Sequence, residues 1–324
     1  MIASRRRFLR ILAACAGYGA LRTDRGLATP AQHLWRGVAF GADCEIQLYH
    51  PDAKAAQRLI AACVAEARRL EAVFSLYRPD SALSRLNRDA ILHAPPPDLL
   101  RLLSESHEMH VLTMGVFDPT VQPLWNLYAS HFSRADADPA GPGATRIAAA
   151  LAQVGWRRVT FDESRVALTP GTGLTLNGIA QGYITDRVCD LLRREGVGHT
   201  MVDMGELRAL DTRPDGSAWR VGLENAKREI KRTVEIASRA VATSAGAGTA
   251  FDPSGQFTHL FDPRTGSARP TWSSVSVVAQ TATMADGLST AFSMLPAEHI
   301  RRIASRLEGV EVYVSEEDDR IRAL

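Results

Sequence analysis

Residues 283 to 295 read TMADGLSTAFSML. Ala285, Leu288, Phe292 and Leu295 recur at three- and four-residue steps, which sets them on one stripe of a helix. The rest of the segment is small or apolar, so the helix belongs in an interior. Asp286 lies within it, with Thr290 four residues on and therefore on the same face. An unpaired charge is costly to bury. A fold that takes this helix inside must give Asp286 a partner, either a backbone group to cap or a cation.

The rest of the chain alternates between helical and strand patterns. Residues 34–49 read as a strand or hairpin. Ile60, Val64, Ala67, Leu70 and Phe74 give an amphipathic helix over 53–74. A helix over 98–113 starts after Pro95-Pro96-Pro97, as helix entries favour. GVFDPTVQPLWNLY (115–128) is a loop entering a helix, 135–145 is a surface loop, 144–154 a short helix, and 157–168 contains strands. Residues 177–198 form a helix faced by Ile184, Val188, Leu191 and Leu192 and stopped near Gly196. WRVGLEN, RTVEIAS and AVATS alternate as half-buried strands. A hairpin through GQFTHLFDPRTG, the strand SSVSVVA, a helix over 296–307 and the strand VEVYV complete the pattern. There is no regular βαβ rhythm, so the expected class is α+β.

The net charge of +2 conceals an uneven distribution. Residues 1–28 hold six arginines and one aspartate; without them, acids outnumber bases by three. Nothing in that balance suggests a nucleic-acid footprint, and no nucleic-acid partner is expected. The N-terminal SRRRFLRILAACAGYGALRTDRGLA, with paired arginines before Phe8-Leu9 and a short apolar run, resembles a twin-arginine export signal. A plain basic tail is the other reading. Leu12-Ala13-Ala14-Cys15 resembles a lipoprotein box, which would acylate Cys15 and tether the protein to the inner membrane. Residues 1–28 are therefore set aside, leaving 29–324 as one domain. Cys44, Cys63 and Cys189 show neither a CxxC nor a zinc spacing and read as small buried thiols.

Four stretches join glycines to polar side chains at element ends: GVFDPT (115–120), NGIAQGY (177–183), HLFDPRTG (259–266) and ADGLST (285–290). The second suits an anion at a helix start, where backbone N–H groups point outward. The fourth offers a carboxylate and a hydroxyl one turn apart, hard oxygens that suit Mg²⁺; a buried carboxylate capping a neighbouring backbone explains the same pair. The two Asp-Pro-containing stretches are ordinary turn chemistry.

In their order and separations, SLYRPDSALSRLN, GVFDPTVQPLWNLY, NGIAQGYITDRV, PDGSAWRVGLE, HLFDPRTG and MADGLSTA resemble the blocks of the FAD:protein FMN transferases, the ApbE family. The resemblance runs from about Arg36 to the closing strand. It implies an α+β fold with the nucleotide site between two lobes. It also implies Mg²⁺-dependent transfer of FMN from FAD to a threonine hydroxyl of a target protein, with release of AMP. The acceptor would be a periplasmic or membrane redox subunit. Carried over position by position, the resemblance makes Asp286, Thr290 and the Gly178 carbonyl the metal ligands. Phe40, Tyr77, Val116, Phe117, Asp118, Gln181 and Phe261 become FAD contacts, and His259 the proton acceptor. Three departures bear on nucleotide affinity: Phe40-Gly41-Ala42 where the family often has Met-Gly-Thr, Gln181 where lysine is common, and Glu206 where glycine is usual. Two alternatives stay open, attack by water to give an FAD pyrophosphatase, and flavin binding without turnover.

Overall fold

The computed structural model describes residues 9–11, 30–39, 41–225, 227–316 and 320–324. The export-signal and lipidation readings fall, apart from Leu9–Ile11, outside the described residues, as does Phe40. The main sheet has eight strands: β1 (Ala31–Ala39), β2 (Ala42–His50), β3 (Thr200–Asp203), β4 (Leu207–Leu210), β5 (Ala240–Ala245), β6 (Ser274–Ala279), β7 (Glu311–Ser315) and β8 (Ile321–Ala323). Their spatial order is their chain order, and every neighbouring pair is antiparallel. The sheet is thus one long meander, and the helices are insertions between consecutive strands. The helices that matter most are α1 (Ala53–Phe74), α2 (Pro97–Leu112), α3 (Ala180–Arg194) and α4 (Ala282–Phe292).

β3, β4 and β6 are buried along their whole length, because the sheet is covered on both faces there. Alternation along a strand sends successive side chains to opposite faces. Val202, Ala242, Val275 and Val277 join the helices in the larger core, with Leu70, Phe74, Ile184, Leu288 and Phe292. Met201, Val241 and Val278 join a second core against Trp219, Val221, Leu223 and Ile236. Those last residues belong to a three-stranded sheet in which Trp219–Glu224 pairs antiparallel with Ile230–Ile236 and with Leu9–Ile11. A third cluster, built on Leu124, Tyr128, Phe257 and Phe261, forms a smaller lobe beside the main core. The α+β class is as expected.

Most sequence-derived elements are present within a residue or two of their expected ends. The expected hairpin through GQFTHLFDPRTG is not. The segment is an irregular loop, with one isolated bridge between Ala250 and Thr258. Side chains there take the bonds that a ladder would use: Asp262 Oδ1 accepts from Arg264 N at 2.9 Å, and Thr258 Oγ1 from Leu260 N at 3.3 Å. Pro263 also lacks a donor. Ile321–Ala323 and Leu9–Ile11 are strands the pattern did not announce; both are three residues long.

α3 and α4 cross in close contact, and Gly182 permits it. A Cβ on Gly182 would lie 2.3 Å from the Ala282 carbonyl oxygen and 2.8 Å from Thr283 Cα, both backbone atoms that cannot step aside. Gly182→Ala should therefore cost at least about 3 kcal/mol, the upper end of overpacking penalties, read as a lower urea midpoint. A second expectation concerns Glu105 on α2. Burial, and then the nearby Asp186 charge, push its carboxyl up to about 7 from an ordinary 4.5. Between those values the folded chain keeps a proton that the unfolded chain releases, so stability falls as pH rises through that window. Glu105→Gln, which cannot ionise, should match the wild type below pH 4.5. Above pH 7 it should exceed it by roughly 1–2 kcal/mol, the shift discounted for partial exposure; thermal melts at pH 4 and pH 8 check this.

Candidate active site

Apart from Phe40, every expected site residue lines one cleft of about 400 Å³. Tyr77, Val116, Phe117, Asp118, Gln181, Phe261, Gly178, Asp286, Thr290 and His259 come from five separate stretches of chain and meet there. The cleft lies between the sheet-and-helix core and the smaller aromatic lobe. Its core side is built by Gln181 of α3, by Asp286 and Thr290 of α4, by the β3–β4 turn and by the end of β5. Residues 115–121 and 259–261 supply the opposite wall.

α3 and α4 meet through three rungs, each four residues from the next. The Thr290 hydroxyl donates to the Gly178 carbonyl at 3.2 Å. The Gly182 N–H donates to Asp286 Oδ2 at 3.0 Å. The Asp186 carboxylate accepts from Ala282 N and Thr283 N, each at 2.9 Å. The pairs 178–290, 182–286 and 186–282 set the two helices antiparallel. α3 has no side-chain cap of its own, and Asp286 serves its first turn. A carboxylate at a helix N-terminus is favoured both by the orphan N–H groups and by the helix dipole. The backbone partner expected for Asp286 is therefore present.

Three hard oxygens, from the Asp286 carboxylate, the Thr290 hydroxyl and the Gly178 carbonyl, meet at one wall of the cleft. Ser244 Oγ lies 3.2 Å from Thr290 Oγ1 and 2.8 Å from Ser289 Oγ, so the Thr290 hydroxyl is held from two sides. A Cβ on Gly178 would come within 2.8 Å of that hydroxyl. Among the described residues no three His, Cys, Asp or Glu side chains are grouped to hold a metal by themselves. That still fits Mg²⁺, which takes one or two carboxylates and completes its octahedron with water and substrate phosphate.

Four carboxylates line the cleft, those of Asp118, Asp203, Glu206 and Asp286, and among the described lining residues there is no lysine or arginine. Asp118 is turned into its own loop, where Oδ1 accepts from Thr120 N at 2.9 Å and Thr120 Oγ1 at 2.6 Å. Glu206 Oε2 accepts from Thr243 N at 3.2 Å. Gly205, at φ +107°, leaves the room that the Gln181 amide fills; a Cβ there would lie 2.3 Å from Gln181 Nε2. A phosphate ester entering this cleft would meet four carboxylates and, among the described lining residues, neither a lysine nor an arginine.

His259 Nδ1 lies 3.0 Å from the Thr249 carbonyl, an acceptor only. In the neutral ring this puts the proton on Nδ1 and the basic lone pair on Nε2. Tyr77 is 60% exposed, with a broad ring face at the rim. Phe261, by contrast, is buried against Tyr128 at 5.5 Å between ring centroids, so it anchors the smaller lobe as well as lining the cleft. Sequence reasoning missed Asp203, Ser244 and Trp125. Asp203 alone left a signal, an acid closing a buried strand two residues before a glycine.

The fold is that of flavin transferases. The crystal structure of the Pseudomonas stutzeri flavinyl transferase ApbE in its apo form superposes with a TM-score of 0.77, at 28% identity over 92% of this chain and 96% of that one. The flavin transferase ApbE of Vibrio cholerae gives 0.74 at 26% identity, over 91% and 97%. The chain belongs to the ApbE family, whose sequence model matches residues 40–314. Among curated relatives, the FAD:protein FMN transferase of Vibrio cholerae is 30% identical over 256 residues, 76% of this chain and 75% of that protein. That of Haemophilus influenzae is 28% identical over 252 residues, 73% and 72%.

Proposed function

We propose that this protein transfers FMN from FAD to a threonine hydroxyl of a target protein, with Mg²⁺ as the working metal. The observation that carries the reading is the pairing of three hard oxygens with an acidic cleft whose described lining holds no lysine or arginine. Asp286, Thr290 and the Gly178 carbonyl would hold the ion. When bound, it supplies charge neutralisation at the diphosphate.

The reaction is displacement at the phosphorus on the FMN side. The acceptor oxygen forms the new P–O bond, the bond to the bridging oxygen breaks, and AMP leaves with that oxygen. His259 Nε2 is the basic position that takes the hydroxyl proton. Tyr77 offers a ring face to the isoalloxazine at the mouth of the cleft. The Val116–Asp118 loop and Phe261 shape the opposite wall, and Gln181 gives an uncharged amide where a charge would otherwise sit. The paired arginines of the N-terminal segment support export by the twin-arginine route, which carries folded proteins and would place the acceptor in the periplasm. Among the described residues no helix is long and apolar enough to cross a membrane.

Incubation with FAD, Mg²⁺ and a protein carrying an acceptor threonine should yield a covalent yellow product and one AMP per flavin attached, by mass spectrometry. Free FMN and AMP in equal amounts, with the acceptor unmodified, would mean that water is the acceptor. Asp286→Ala should lower AMP release by at least about 10²-fold, as loss of a metal ligand in the transition state does. Undiminished release from that variant would remove the metal role and leave Asp286 as a helix cap.

A further inference from the structure

We infer that Asp186, which lies outside the cleft, is the positioning residue for the metal-binding oxygens, acting through the register of α3 against α4. The inference rests on the Mg²⁺ reading above. Its basis is reciprocal capping. Asp286 on α4 accepts the Gly182 N–H in the first turn of α3, and Asp186 on α3 accepts the first-turn N–H groups of α4. Each helix thus carries the carboxylate that ends the other.

The Asp186 rung gathers four donors on one carboxylate. Oδ1 receives Ala282 N at 2.9 Å and Arg208 Nη1 at 2.5 Å, while Oδ2 receives Thr283 N at 2.9 Å and Thr283 Oγ1 at 2.6 Å. Thr281 caps the next amide, that of Met284, at 3.2 Å. All of these atoms lie in or beside the first turn of α4, so together they fix where that helix begins. A helix is axially stiff, with one residue every 1.5 Å. Fixing its first turn therefore fixes Asp286 and Thr290, one and two turns on. The distant rung sits eight residues beyond Gly178, about 12 Å along α3 at that rise. It borders a second cavity of about 740 Å³, which also meets Glu105, Arg101 and Arg187. Asp186 therefore touches neither the proposed metal nor the flavin, yet it sets the distances among the oxygens that would.

Asparagine at this position keeps the shape but replaces one accepting oxygen with a donor that faces an N–H or the Arg208 guanidinium. Asp186→Asn should raise the Mg²⁺ concentration giving half-maximal AMP release roughly 10-fold, the low end for residues that support metal ligands. The KM for FAD at saturating Mg²⁺ should stay within about twofold. The same displacement should appear without turnover, when the melting temperature is followed against added Mg²⁺ alone. Thr283→Val removes only the hydroxyl bond and keeps the volume, so it should shift the Mg²⁺ response in the same direction by a smaller factor; it decides the matter if Asp186→Asn does not fold. Asp286→Asn, run beside them, should abolish the Mg²⁺ response. If Asp286→Asn keeps a wild-type response, the metal reading fails and this inference with it. If Asp286→Asn loses the response while Asp186→Asn and Thr283→Val titrate like the wild type, the metal reading stands and the positioning role is overturned. A lower melting temperature with an unmoved Mg²⁺ response counts against it in the same way.

Discussion

Asp286 and Asp186 each satisfy the first turn of the other's helix, and much of the molecule is arranged to keep that exchange in place. Two buried carboxylates would be a serious burden on a fold if either lacked donors. Here they receive backbone N–H groups at helix N-termini, where the dipole also favours them. The close approach this needs is possible because Gly182 has no side chain. The inner surface of the sheet then packs against both helices and prevents them from sliding. Packing, capping and site geometry are one constraint seen at three scales.

The electrostatics of the cleft follow from the same arrangement. A diphosphate is usually received by arginine, lysine or a helix N-terminus. In this cleft the described lining holds four carboxylates and no lysine or arginine, and the Gly182 N–H in the first turn of α3 is already taken by Asp286. What remains available is a set of oxygens, suited to a hard cation and not to a bare phosphate. The departures noted in the sequence act in the same direction. Gln181 contributes no positive charge, and Glu206 adds a negative one whose oxygen is tied to the Thr243 amide. Under the proposed function, that lining leaves neutralisation of the diphosphate to the Mg²⁺ ion.

Local patterns carried much of the architecture. The helix at 53–74 was legible because an apolar stripe of period 3.6 survives where one face packs and the other meets water, whereas that at 177–198 kept its Ile184, Val188 and Leu192 stripe although its first turns are buried almost all round. The strands at 219–224, 230–236 and 240–245 were legible through alternation. The stretch GQFTHLFDPRTG was misread, because alternation there is incidental and Asp262, Thr258 and Pro263 divert the backbone bonds from a ladder. The strand at 321–323 is too short for any period to show.

The sequence by itself determined that an acid would sit within an interior helix and that Thr290 would share its face. Those are consequences of residue type and spacing along one element. That the glycine-rich blocks supply a site was implied by the family resemblance alone. Only the tertiary structure decided which element would meet Asp286, that Asp186 would return the same bond, and that Asp203 and Ser244 would reach the cleft. It also decided that the main sheet would run in chain order with both faces covered. Those outcomes depend on contacts between residues from tens to more than a hundred positions apart. A helical period records which face is buried but carries no information about what the buried face will touch.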